Sequence, residues 1–238
     1  PKGETESVKL SSCIGRVTAQ VVRSKEDIPP FDNSAMDGFA IRAKTSARAS
    51  IKNPKILKVI EDLPAGYTAK KTVRPLQAIR IMTGAPMPRG ADSVIMAEDT
   101  DKVQKDRKSS LVKIFKEIKP GENVRKAGED IKRGDIVIKR GMVLRPAHLG
   151  LLASIGHGNV KVYRKPKVAI LATGDELVEI NQKLKPGKIR DSNTYSLYGQ
   201  VAASGAVPLI LGIAKDSKYG LNAKIKEGLK TADILLVS

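Results

Sequence analysis

Tryptophan is absent from the 238 residues, and aromatic residues of all kinds make up only 3% of them. A hydrophobic core must therefore rest on Ile, Val, Leu and Ala, and a base-stacking surface for single-stranded nucleic acid lacks its platforms. Cysteine occurs once, as Cys13, which excludes an intrachain disulfide and a cysteine-based metal cluster. That scarcity fits a reducing compartment, and a cytoplasmic location is expected. The only two histidines, His148 and His157, are isolated and read as surface or capping residues rather than general bases. No nucleophile–base arrangement is visible, which favours chemistry by metal and positioning over covalent catalysis. No stretch is apolar for long enough to cross a bilayer, so no membrane partner is expected. No leader segment is visible either, although the chain opens at Pro1 rather than Met, and residues upstream are expected.

Positive charge, by contrast, is abundant: 43 Lys and Arg against 25 Asp and Glu, a formal +18. Positions 1–164 hold 32 basic and 18 acidic residues, positions 165–238 hold 11 and 7. The basic residues are scattered in ones and twos with no aromatics between them, so a Lys-rich solvated surface is favoured and no nucleic-acid partner is expected. Attraction of a small phosphorylated anion remains. A hydrophobic content of 41% suffices for a real core, and the length suits two modest domains or one large one.

Positions 50–145 read mostly as strands. Ile56, Val59, Ile79, Ile81, Val94, Met96, Val112, Ile114, Ile136 and Ile138 sit in short runs with period-two stretches, separated by Gly/Pro turns. A short helix follows, with Pro146 in its first turn and Gly156 or Gly158 at its end. The pattern then changes. Val168–Ala172 is apolar without alternation, as in a strand buried on both faces. Helices are expected at Ser192–Ala203 and Lys218–Leu229, and strands at Val207–Ile213 and Ile234–Val237, which makes a parallel β-α-β-α-β unit beginning near Lys165. Three strands bury an open sheet poorly, so the sequence is expected to be part of a longer protein.

In open parallel sheets, ligands bind beyond the carboxyl ends of the strands. Thr173-Gly174-Asp175-Glu176, Lys215-Asp216 and Ser238 occupy those ends. Thr173-Gly174 offers backbone N–H groups to an anion, and Asp175, Glu176 and Asp216 are hard oxygen ligands of the kind Mg²⁺ prefers. Singly, each carboxylate is better read as a turn or cap; their convergence on one rim suggests a site. Three segments of the β region are also unusual. Pro29–Gly38 carries Asp32, Asn33, Ser34 and Asp37 around Met36, and reads as ligand-facing rather than core, with a turn at Asp37-Gly38. Arg80–Pro86 contains Thr83-Gly84, a hydroxyl and amide donor pair or a plain hairpin turn. Gly121–Arg125 leads to Gly128-Glu129-Asp130, a charged loop on composition alone.

Taken in order, these segments resemble one family closely: the molybdopterin molybdenumtransferases, that is, the MoeA proteins of bacteria and archaea and the E domain of gephyrin. The matching stretches are PPFDNSAMDG at 29–38, RIMTGAP at 80–86, GADSVIMAEDT at 90–100, GENVR at 121–125, GEDI at 128–131, LATGDEL at 171–177 and DSN at 191–193. The resemblance implies a multidomain α+β architecture. An elongated domain (1–14 and 135–164) carries an inserted β-rich domain (15–134), and a MogA-like α/β domain with a parallel sheet begins at 165. It implies molybdenum-cofactor synthesis, in which molybdate is inserted into adenylylated molybdopterin, AMP is released and Mg²⁺ is required. Asp37, Thr83, Asp130, Glu176 and Asp216 fall on the family's catalytic positions. Ser34, Met36, Thr173, Gly174, Asp175, Asn193 and Ser238 fall on cofactor-binding ones, and Glu176 with Asp175 on the metal. The family forms homodimers whose site is shared between subunits, with a MogA-type adenylyltransferase as upstream partner and an anionic pterin as ligand. The resemblance stops at Ser238, before further site residues and the family's last domain. Because the gephyrin domain also clusters receptors, a catalytically incomplete scaffold is the alternative.

Overall fold

An apolar run with no polar alternation must find cover on both faces, and Val168–Ala172 does. In the computed structural model, which describes residues 3–101, 104–106 and 109–238, it lies within the strand Lys167–Thr173, where all five residues are buried. This strand is central in a three-stranded parallel sheet, flanked by Val207–Ala214 and Ile234–Val237. The register slips by one residue between Ile170 and Leu171, opposite Gly212, whose φ is 85°. A glycine takes that left-handed conformation without the Cβ penalty.

The two crossover helices lie where their caps put them. Helix α2 runs Asn193–Ala203; the buried carboxylate of Asp191 accepts the Thr194 N–H at 3.1 Å, and Gly205 (φ 84°) ends it. Helix α3 runs Lys218–Thr231, capped by the Ser217 hydroxyl, which accepts the Gly220 N–H. The shorter helix α1, Pro146–Ser154, begins at the expected proline. His148 is its cap, with Nδ1 accepting the Arg145 N–H at 3.1 Å. Cys13 is fully buried, its thiol donating to the Leu10 carbonyl, and burial pushes its pKa up, as suits a structural cysteine.

The chain forms two compact units, Pro1–Val22 with Val137–Ser238, and Arg23–Ile136. In the first, the ribbon of Thr5–Lys9 against Asn159–Tyr163 meets the parallel sheet through Arg164. Its guanidinium forms a two-pronged pair with Asp233, both bonds 2.8 Å, while Nε donates to Glu4 at 2.7 Å. Arg164 and then the Lys167 N–H hold the Asp233 carboxyl well below the usual carboxylate range.

The second unit is built on a six-stranded mixed sheet. Its order is Ser93–Met96, Gly38–Ile41, Gln77–Ile81, Lys55–Leu63, Ser109–Ile114, Gln104–Asp106. Only Lys55–Leu63 and Gln77–Ile81 run parallel. Ile79, Ile81, Val94, Val112 and Ile114 are core, as the alternation suggests. Ile56 and Ile136 are not: they are 53% and 47% exposed, and Leu57 points inward instead. One strand, Gly38–Ile41, escapes the sequence pattern because all four of its residues are buried and none alternates with a polar one. Nor is there a turn at Asp37-Gly38. Gly38 is the first residue of the strand, its φ is not among the positive ones, and a Cβ there would lie 1.9 Å from the Ile95 carbonyl oxygen. The glycine is required by close strand approach.

Two outcomes follow from this packing. Gly38→Ala must push apart backbone rather than a flexible side chain, and is expected to lower Tm by roughly 5–10 °C in calorimetry. For Asp233, a depressed pKa means a stabilising contribution present above its unfolded value, 3.8, and lost as pH falls through the folded one. The Tm gap between the wild type and Asp233→Asn should therefore be constant from about pH 6 to 8 and begin to narrow only below about pH 4, continuing to shrink as the pH falls further; a gap independent of pH would contradict this.

Candidate functional site

In the β-rich unit, three sequence-distant segments are knitted into one surface. Asn33-Ser34 pairs with Val124-Arg125, and the Ser34 backbone exchanges bonds with Gly84 (2.9 Å) and Ala85 (3.0 Å). The Met82–Ala85 turn, closed by Ala85 N–H to the Met82 carbonyl, puts Gly84 at φ 82°, where a glycine is favoured. This turn delivers Thr83 to Asp37. One Asp37 oxygen accepts both the Thr83 amide (2.7 Å) and the Thr83 hydroxyl (2.8 Å). The amide first, then the hydroxyl, hold the exposed Asp37 carboxyl below its ordinary pKa, with Arg80 adding a smaller field.

The donor pair of Thr83 is thus spent on Asp37 rather than offered to a ligand. Asp37 is left ionised, with its second oxygen free of hydrogen bonds among the described residues. Ser34 does not face solvent: it is fully buried, and its hydroxyl donates to the Met36 carbonyl and accepts the Met36 N–H. It shapes the loop, which leaves Met36, 41% exposed, and Asp37 outward. Asp130 is exposed and takes Arg125 at 2.7 Å. Asp32 accepts Lys126 Nζ (2.7 Å) and the Ala127 N–H (2.8 Å), and that lysine above all lowers its pKa. Lys126 is a partner that sequence reasoning missed, since nothing local pairs residues 94 positions apart.

At the carboxyl end of the parallel sheet, Thr173, Gly174, Asp175, Glu176, Asp216, Asn193 and Ser238 come together. The Thr173 N–H goes to the Ser238 carbonyl (2.7 Å) and the Gly174 N–H to the Ala214 carbonyl (3.3 Å). Neither amide is free for an anion, contrary to the reading of this turn as an N–H donor. The Ser238 hydroxyl accepts Asn193 Nδ2 at 3.1 Å, so these three polar residues brace one another. Asp175 accepts the Asp216 N–H weakly, at 3.4 Å. Glu176 folds over Gly174, its carboxylate 2.6 Å from where a Cβ of residue 174 would stand. Beside this rim opens a cleft of about 690 Å³, lined by Gly174, Asp175, Glu179, Lys188 and Lys215 among others. Lys188, which the sequence did not single out, donates to the Asp175 carbonyl.

Among the described residues, no group of three or more His, Cys, Asp or Glu is placed to hold a metal ion. Asp175 and Glu176 supply two carboxylates at most. That suits Mg²⁺ held partly by substrate phosphate and water, and suits no all-protein cage. Among the described residues, no helix is long and apolar enough to cross a membrane.

The Asp37–Thr83 pair can be tested directly. Thr83→Ala deletes the hydroxyl and keeps the amide, so the Asp37 titration midpoint should rise towards the ordinary carboxylate value in a carboxyl ¹³C NMR titration. An unmoved midpoint would remove the hydroxyl from the account.

Residues 1–156 match the family described as MoeA N-terminal region (domain I and II), and residues 169–238 match a probable molybdopterin binding domain. A protein named molybdopterin molybdenumtransferase from Bacillus subtilis (strain 168) is 40% identical over 237 residues, covering 100% of this chain and 55% of its own. One of the same name from Nostoc sp. is 41% identical, covering 99% and 53%. A crystal structure titled molybdopterin biosynthesis moeA protein from Pyrococcus horikoshii OT3 superposes with TM-score 0.89 at 36% identity, over 98% of this chain and 61% of that one. The chain spans about half the length of the curated relatives it matches. With the mixed α+β architecture and the ordered motifs in place, the chain belongs to the MoeA family.

Proposed function

We propose that this chain serves a molybdopterin molybdenumtransferase, which inserts molybdate into adenylylated molybdopterin and releases AMP. The observation that carries this reading is the cleft of about 690 Å³ at the carboxyl end of the parallel sheet. Its size is that of a small-ligand site, and Lys188 and Lys215 answer the charge of a phosphate-bearing pterin. Water cleaves the phosphoanhydride, so that AMP leaves with one phosphate and the pterin keeps the other; the two dithiolene sulfurs bind molybdenum as one oxygen of molybdate leaves as water with the two thiol protons.

Asp37 is the chain's prepared acceptor. Thr83 fixes its direction and stabilises its ionised form, so its free oxygen can hold a donor without first reorganising. Asp130, aimed by Arg125, is the second carboxylate of that surface. Asn193 and Ser238 hold the rim from which Asp175 and Glu176 project. These two are the residues that would hold Mg²⁺, which when bound neutralises phosphate charge. The protein acts as a homodimer, supplied by a MogA-type adenylyltransferase.

The test uses the full-length protein, adenylylated molybdopterin, molybdate and Mg²⁺, with AMP release followed by chromatography. Asp37→Asn keeps the shape and removes the charge; turnover should fall about 10²–10³-fold with little change in Tm. Wild-type turnover by an Asp37→Ala, Glu176→Ala double variant would sink the assigned roles.

A further inference from the structure

The strand Gly38–Ile41 has two ends. Asp37 stands at one and Arg42 at the other, about 17 Å away for five extended residue steps. Beyond Arg42, a short 3₁₀ turn (Ala43–Ser46), the start of Lys55–Leu63 and the Pro75-Leu76 turn enclose an open concavity of about 530 Å³. Its lining includes Arg42, Lys44, Thr45, Lys55, Pro75 and Leu76. From this lining we propose that the concavity is a second ligand site, which takes a small organic phosphate: a phosphate group on the cations and an apolar body on Leu76.

Charge is the first argument. Three cations of this unit are neutralised by carboxylates: Arg125 on Asp130, Lys126 on Asp32, Lys116 on Asp99; what sets Arg42, Lys44 and Lys55 apart is that three unpaired ones line a single concavity. Arg42, Lys44 and Lys55 have no ion pair among the described residues, and Lys55 is half-buried without one. Asp92, a carboxylate that touches this segment, does not line the concavity and pairs with none of these cations; one of its oxygens accepts the Ala43 N–H (2.7 Å) and the Ser93 hydroxyl (2.9 Å). Like charges left together around one hollow raise its potential for an anion. Preorganisation is the second argument. Arg42 Nε donates to the Gly90 carbonyl at 3.0 Å, which fixes the guanidinium and leaves its terminal N–H groups to the hollow.

The apolar side of the lining supplies a third argument. Leu76 is 60% exposed and has φ 60°, a left-handed conformation that a branched side chain rarely adopts. The Lys58 N–H to Leu76 carbonyl bond (3.0 Å) holds it there. A strained, exposed leucine beside unpaired cations has no role in the core. It gives the hollow one apolar wall, and strain of this kind gathers at ligand sites. The volume suits one small molecule, and no aromatic lines it for stacking a nucleic-acid strand.

The probes are a fluorescent AMP derivative, unlabelled AMP and inorganic phosphate, titrated into the protein. Saturable AMP binding is expected, weakened about tenfold or more by the Lys44→Glu, Lys55→Glu pair, neither of which has a side-chain partner to lose. Leu76→Asn should keep or raise Tm, because asparagine tolerates φ near 60°, and yet weaken AMP binding. Because AMP is also the product proposed for the other unit's cleft, two classes of AMP site are expected; Lys188→Glu should weaken only the class that the lysine pair leaves intact, which separates the proposal from the function proposed above. Binding that ignores the lysine pair or Leu76→Asn would overturn the site. So would inorganic phosphate competing as well as AMP, since the apolar body would then count for nothing.

Discussion

Much of the β-rich unit hangs on one close approach. Gly38 faces the Ile95 carbonyl at a distance that admits no side chain. The strand it opens is held between Gln77–Ile81 and Ser93–Met96, antiparallel to both. Close strands put Asp37 at the edge of a rigid sheet rather than on a free loop, and the Ala97 N–H to Asp37 carbonyl bond (3.0 Å) extends that rigidity one residue further. The Thr83 turn can then meet Asp37 at a fixed place. An acid so placed has already met the cost of orientation in folding the sheet.

The parallel unit divides its labour along one strand. Lys167–Thr173 begins beside Asp233 and Arg164 and ends at the rim of the cleft. Strong charge pairing sits at the amino end, where Arg164 joins Asp233 and Glu4. At the carboxyl end the backbone is tightly bonded, with Thr173 N–H on the Ser238 carbonyl at 2.7 Å, but the Asp175 carboxylate has only a weak contact, the 3.4 Å bond from the Asp216 N–H. A rim with such loosely committed carboxylates can exchange those contacts for a ligand at little cost; the Arg164 hub cannot.

The parallel unit was the more legible half of the sequence, for physical reasons. A doubly buried strand reads as an unbroken apolar run, and Pro146, Asp191, Ser217 and Gly205 act on their own neighbours, so caps and stops are local signals. Gly38–Ile41 gave no such signal, because a four-residue buried strand neither alternates nor runs long. The site was legible as a set of motifs and not as a set of contacts. Asp37 and Thr83 are 46 residues apart, Asp32 and Lys126 are 94 apart, and only the folded sheet brings either pair together. For the same reason Ser34 and Thr173-Gly174 seemed to offer groups that the structure has already used.

The formal +18 takes on a different meaning once partners are known. At physiological ionic strength a surface charge is screened within about 8 Å, so the total mainly helps bring anions near. What holds an anion is the local remainder after pairing. Arg125 and Lys126 are neutralised by the acids they position, and so aim carboxylates instead of binding anions. Lys215 lines the sheet-end cleft, and Arg42, Lys44 and Lys55 line the hollow beyond the far end of Gly38–Ile41, with no carboxylate paired to any of them among the described residues. What distinguishes these cations from the many other unpaired ones is that they line concavities, where several can act on one anion, while the scattered remainder keeps the chain solvated.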